Sequence, residues 1–234
     1  MKLPNQNFQR FLFAGILAVS FFATTAVAGP PLICHAFDID GAKSLPWVSH
    51  DWNLSGSEGY DTSKLVADTI GILDSSQVTL VHMETLRRAT LYARKDRAAA
   101  KELILRLIAR AGDTKSAGPG TKQPNALAVF DAGYLTEAYK QWLGEQENPA
   151  QRFDGYALVQ LALQQRGNDP QMEFAAALIA VSKPTTDGQE HAKKAIAGAK
   201  NDDLLARNLA ARFLGPQSDT LSAMITRTKL AAKE

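Results

Sequence analysis

The sequence predicts an all-α fold: antiparallel helical hairpins stacked as a short α-solenoid or an irregular bundle, preceded by an irregular N-terminal extension. Three observations carry that expectation. From residue 61 onward apolar residues recur three and four places apart, the period of a helix that buries one face. Within residues 154–215 the chain repeats itself, Asp154-Gly155 being echoed by Asp187-Gly188 and Asn168-Asp169 by Asn201-Asp202. Residues 29–60 lack any helical period and are broken by Pro30, Pro31, Gly41, Pro46, Gly56 and Gly59. The expected division is a secretory signal peptide over 1–28, an irregular extension packed on the helices over 29–60, and a helical repeat-like domain over 61–234.

The first element is the leader. Lys2 and Arg10 precede an apolar run over 11–23, and Ala26-Val27-Ala28 supplies the small residues of a cleavage site, the three regions of a secretory signal in order. Cleavage after Ala28 would export the product to a periplasmic or extracellular compartment. A lipidation signal is not matched, because Ile33 stands before Cys34 where a small residue is needed. The chain has 26 basic and 24 acidic residues, a formal charge of +2, and Lys2 and Arg10 of the leader account for the whole excess. Nonspecific nucleic-acid binding needs a clustered surplus of Lys and Arg, so no nucleic-acid partner is expected. No later apolar stretch is long enough to span a bilayer, so no stable membrane insertion is expected after cleavage.

The extension carries Phe37, Leu45, Trp47 and Trp52, large apolar residues that read as anchors against a helical surface. It also holds the chain's most suggestive chemistry. Cys34-His35 resembles the end of a c-type haem attachment motif, but Pro31 stands where the first thiol belongs. Cys34, His35 and His50 are the candidate metal ligands, with Asp38 and Asp40 nearby, and such donors suit copper or zinc. Their spacing matches no paired zinc motif. Asp38-x-Asp40-Gly41 resembles part of an EF-hand loop, with Ala36 at the first ligand position and Trp47 in place of the closing Glu. Phe37-Asp38-Ile39-Asp40-Gly41 is also similar to the nucleophile motif of haloacid dehalogenase-like phosphatases. That resemblance implies phosphoryl transfer on a strand-rich core, whereas the rest of this chain reads helical. Cys34 is the only cysteine, so no intrachain disulfide is available. The plain expectation is a thiol packed beside Phe37, and no cofactor is assigned.

Helices then follow in series. Asp61 caps one over about 62–73, with Leu65, Val66, Thr69, Ile70 and Leu73 at helical spacing. The next, over about 78–94, points His82, Leu86, Ala89, Thr90 and Ala93 inward and leaves Glu84, Arg87, Arg88 and Arg94 mostly outside. Arg87-Arg88, Arg94-Lys95 and Arg97 are expected to form a solvated face. His82 has no acidic or thiol partner three or four residues on, so it reads as a packed or half-exposed imidazole. Asp96 caps a helix over 97–111 with Leu103, Ile104, Leu107 and Ile108 as its stripe. Residues 112–124 contain no large apolar side chain and read as a loop. Asn125 opens a helix to about 144 along which Leu127, Phe130, Tyr134, Ala138 and Trp142 share a face. Tyr134, Tyr139 and Trp142 also suit a surface that holds extended peptides. After the repeats, residues 218–233 read as a closing helix.

The two repeat units are sharpest in their second helices. Asp169-Pro170-Gln171-Met172 and Asp203-Leu204-Leu205-Ala206 each read as an Asp cap followed by an apolar residue, with Ala176-Ala177 and Ala210-Ala211 as small pairs that admit a close neighbour. A period of about 33 residues falls among helical repeats. These residues resemble the HEAT-like repeats of α-solenoids: Arg207, Ala210, Ala211, Leu214 and Gly215 match the pattern, while Glu173 stands where Arg is usual. The period is also similar to that of tetratricopeptide repeats, although Gln160 and Met172 occupy positions where those prefer small residues. The resemblance implies an extended surface for a protein or peptide partner. No Ser-His-Asp, Cys-His-Asn or paired-carboxylate arrangement can be assembled. The expected function is therefore that of a non-enzymatic, exported binding or scaffold module. The alternative is a metal- or haem-binding, redox-related protein centred on Cys34-His35.

Overall fold

A computed structural model describes residues 30–48, 54, 56–113, 125–167, 169–181 and 187–211. The leader, His50, Trp52, most of the 112–124 loop and the closing helix lie outside them. Every regular element among the described residues is helical. A single 3-10 turn over Thr62–Lys64 runs into α1 (Leu65–Ser75). Then come α2 (Thr79–Ala93), α3 (Arg97–Gly112) and α4 (Ala126–Trp142). The two hairpins of the internal repeat supply α5 (Gly155–Arg166) with α6 (Pro170–Ala180), and α7 (Asp187–Gly198) with α8 (Asp203–Leu209).

The capping chemistry explains most of these starts. A carboxylate or amide just before a helix accepts hydrogen bonds from its first free N–H groups. Asp61 does this for Ser63, Asp96 for Ala99, Asn125 for Leu127 and Asp154 for Ala157. Asp169 accepts from both Gln171 and Met172, with Pro170 at the first helical position. In α8 the cap is Asp202, which accepts from Leu205, and Asp203 already belongs to the helix. The expected cap at Asp203 is thus one residue late. The start of α2 is satisfied from elsewhere in the molecule: Leu80 N–H donates to Gln171 Oε1 of α6 at 3.0 Å.

The helices pack against one another as a bundle, in a definite order. α2 touches α4 and α6, α4 touches α6, and α6 touches α8, while α1, α3, α5 and α7 flank this series. The inner helices are covered on almost every side. Every residue of α4 from Leu127 to Tyr139 is buried, as is every residue of α6 from Met172 to Ala180 and all of α2 except Arg88. The flanking helices keep the single buried stripe that the sequence pattern predicts, Leu103, Ile104 and Leu107 in α3 being an example. Backbone meets backbone closely where α4 packs on α5. A Cβ placed on Gly133 would lie 2.6 Å from Gly155 O, and one on Gly155 would lie 2.5 Å from Gly133 O. The repeated Asp-Gly pair thus has a packing reason in its first copy: no side chain fits there. No helix among the described residues is long and apolar enough to cross a membrane.

Candidate functional site

The described extension, residues 30–48, lies along the inner helices and gives up its main-chain groups to their side chains. It begins with a turn in which Ile33 and Cys34 both donate to Pro30 O at 3.0 Å. It then buries Leu32, Ile33, Phe37, Ile39 and Leu45 in the core. Asp38, Asp40 and Gly41 form a second turn: Asp40 N–H donates to Asp38 Oδ1 at 2.9 Å, and Asp40 and Gly41 take φ of 53° and 73°. Asp and Gly are the residues that tolerate such a backbone. The Asp-x-Asp-Gly sequence that resembles phosphatase and calcium motifs is this turn.

All four inner helices hold the segment. From α4, Gln141 Oε1 accepts from Leu32 N–H at 3.0 Å. From α2, Glu84 Oε2 accepts from Phe37 N–H at 2.9 Å, Arg87 Nη1 donates to Ile33 O at 3.2 Å, Arg88 Nη1 donates to Leu45 O at 2.6 Å, and Tyr92 Oη donates to Pro46 O at 2.5 Å. α6 supplies Phe174, whose ring meets that of Phe37 edge-on at 6.1 Å. α8 supplies Asn208, which reads Asp38 from both sides: Oδ1 accepts from its N–H and Nδ2 donates to its C=O, each at 2.9 Å. Next to it Arg207 pairs with Asp38 at 2.6 Å and Asp40 at 3.2 Å.

The charges beneath the segment correct the expectation of a solvated basic face at Arg87 and Arg88, while Arg94, Lys95 and Arg97 are exposed as expected. Glu84 is 0% exposed and Arg87 2%. Arg87 grips Glu84 through Nε at 2.7 Å and Nη2 at 2.9 Å, and Arg88 Nε reaches the same carboxylate at 2.7 Å. Trp47 closes over them with its ring centroid 4.9 Å from the Arg87 guanidinium carbon. Burial alone would push the Glu84 carboxyl up, but Arg87, Arg88 and the Phe37 amide outweigh it and hold the group below the usual range. Exposed at the far end, Asp38 is also lowered, by the Arg207 hydrogen bond first and the Asp40 amide second.

The candidate ligands of the extension are placed as follows. Cys34 and His35 sit half-buried in and beside the first turn, between the anchors Ile33 and Phe37, so Cys34 is less enclosed than expected. His50 lies outside the described residues. Among those residues no three His, Cys, Asp or Glu side chains gather in a way that could hold a metal ion.

Two further histidines are partnered across long sequence distances. His82 is 1% exposed, not half-open, and its Nδ1 lies 2.6 Å from Asp131 Oδ1 of α4 while Nε2 lies 3.1 Å from Ser76 O. Burial opposes its charged form, yet Asp131 and the Ser76 carbonyl outweigh that and raise its pKa above the ordinary value. His191 of α7 joins Glu173 of α6 through Nδ1 and Tyr156 Oη of α5 through Nε2 at 3.0 Å. Lys194 reaches the other Glu173 oxygen at 3.3 Å, and Glu173, His191 and Lys194 line an open cavity of about 450 Å³ together with Gln160 and Gln164. Both imidazole nitrogens are engaged, and burial holds the Tyr156 proton more firmly than usual. The chain of groups ties α5, α6 and α7 together.

No local pattern joins Glu84, Arg87, Arg207 and Asn208 as a set, since they come from helices more than a hundred residues apart in the chain. One signal was available: large apolar residues in a Pro- and Gly-rich segment need a host surface, and a helix with Glu84 followed by Arg87 and Arg88 can neutralise itself when covered. Compared with models of protein families, with curated proteins and with solved structures, the chain matches none of them.

Proposed function

We propose that this chain is an exported, non-enzymatic helical scaffold that binds an extended protein or peptide segment on the face made by α2, α4, α6 and α8, and that residues 30–48 occupy that face in cis. The observation that carries the reading is Asn208, whose amide both accepts from and donates to the main chain at Asp38. Contacts to main-chain groups do not depend on the identity of the bound side chain, so they suit a surface that receives extended segments. The 33-residue echo between the caps Asp169 and Asp202 supports a HEAT-like or tetratricopeptide-like stacking of the last two hairpins. Export rests on the leader and its Ala26-Val27-Ala28 site.

The test uses a fluorescent synthetic peptide of residues 30–48 and the full chain. Phe37→Ala loosens the resident segment and leaves the face intact, so the peptide should bind that variant about tenfold more tightly than the unsubstituted chain. Adding Asn208→Ala should reverse the gain, since two hydrogen bonds at roughly 0.5–1.5 kcal/mol each are lost. A Phe37→Ala chain that keeps its helical circular dichroism yet takes up no peptide would rule the reading out.

A further inference from the structure

We propose that the partner of this face is a segment of another protein in which an apolar or aromatic anchor is followed at once by a carboxylate and again by one two residues later, and that such a segment displaces residues 30–48. This rests on the reading that the face binds main chain. The resident segment shows what the face selects. Arg87, Arg88, Tyr92 and Asn208 take backbone carbonyls and set the direction of the bound chain without reading its sequence. Leu32, Ile33, Ile39 and Leu45 require apolar side chains at their positions, and two further places select the motif around Asp38. Phe37 is 3% exposed against the ring of Phe174, and Arg207 receives the carboxylates of Asp38 and Asp40 together.

The same geometry lets an occupant with matching apolar anchors replace the resident segment without stranding a buried charge. Glu84 is neutralised by Arg87 and Arg88 of its own helix, so the buried charge stays paired when the segment leaves. Arg207 is half-exposed, at 48% of its side chain, and pairs of that kind are individually weak and screened by salt. They confer preference without permanence. Covalent attachment gives the resident segment an effective concentration of roughly millimolar order, so a partner must match its chemistry to compete.

Two peptides decide the matter: residues 30–48 as they stand, and the same peptide with Asp38→Lys and Asp40→Lys. Each is titrated by fluorescence anisotropy into the full chain, into the full chain with Asp38→Lys and Asp40→Lys, and into that chain with Arg207→Glu added. These substitutions alter exposed groups, and hydrogen exchange at the Phe37 and Asp38 amides follows the resident segment at the same time. The unsubstituted peptide should bind the doubly substituted chain about tenfold more tightly than the native one, prefer it over the substituted peptide by a similar factor, and lose that preference in high salt. Arg207→Glu should invert the order of the two peptides. Equal binding of both peptides would overturn the acidic partner class and leave the peptide-binding face standing. Failure of either peptide to bind any chain at millimolar concentration, with the Phe37 and Asp38 amides protected throughout, would overturn both and make residues 30–48 a fixed part of the fold.

Discussion

Glu84 sits where three requirements meet: it compensates Arg87, anchors Arg88 and receives the Phe37 amide, all without contact with solvent. Glu84→Gln keeps the shape and leaves Arg87 as a buried cation without its carboxylate partner. Removing one member of a buried pair costs about 3–5 kcal/mol, and that loss should appear in urea unfolding, with Arg88→Gln costing distinctly less because Arg88 is partly solvated. Titration gives a second test. Because the folded-state pKa of Glu84 is lowered, its contribution is present above the unfolded value of about 4.3 and fades as pH falls through the folded value. His82 has the opposite sign: its folded pKa is raised, so its contribution is complete below about 6.5 and is lost as pH rises through the folded value. Melting temperature should therefore be highest between about pH 5 and 6.5, and Asp131→Asn should flatten the alkaline limb alone. A limb unchanged by Asp131→Asn would show that the His82 pair does not set it.

Between elements, the approach of α4 to α5 is governed by two glycines whose missing side chains admit opposing backbone. Gly133→Ala would drive a methyl group to within 2.6 Å of the Gly155 carbonyl, and backbone cannot swing aside as a long side chain can. Overpacking of this kind costs about 1–3 kcal/mol. Gly71 of α1 is the matched control, because nothing lies within 4 Å of where its Cβ would be; Gly71→Ala should stabilise by about 0.5–1 kcal/mol through helix propensity. Thermal melts of both variants would separate the close contact from propensity, and equal shifts would deny it. The same elements show what the sequence made legible. Caps at Asp61, Asp96, Asn125 and Asp169 announce their helices because the capping bond is local. The stripe of α3 is equally readable. α2 is readable as a helix with His82, Leu86, Ala89, Thr90 and Ala93 inward, but the burial of its other side is not, since the cover on Glu84 and Arg87 comes from residues about fifty positions earlier. His82 is packed, as one of its two readings had it, but its partner was not readable, because Asp131 belongs to another helix.

Over the whole molecule, the extension is both part of the core and the occupant of the proposed site. Its anchors could be recognised as apolar residues needing a host, but which face they meet follows from the packing order of four helices, and no local pattern encodes that. Leu32, Ile33, Phe37, Ile39 and Leu45 are all buried, and complete burial of such side chains contributes about 1.5–3 kcal/mol each at most. Their sum rivals the roughly 5–15 kcal/mol that holds a typical domain folded. Deleting residues 30–48 should therefore lower the melting temperature by more than about 10 °C, since each kcal/mol moves a chain of this size by roughly 2–4 °C. Adding the peptide of residues 30–48 should restore part of the loss in a concentration-dependent way, because a ligand that binds only the folded state stabilises by mass action. An unchanged melting temperature would remove the extension from the core. A lowered one that the peptide fails to raise would mean that the face forms only around a covalently attached segment, and that free partners do not reach it.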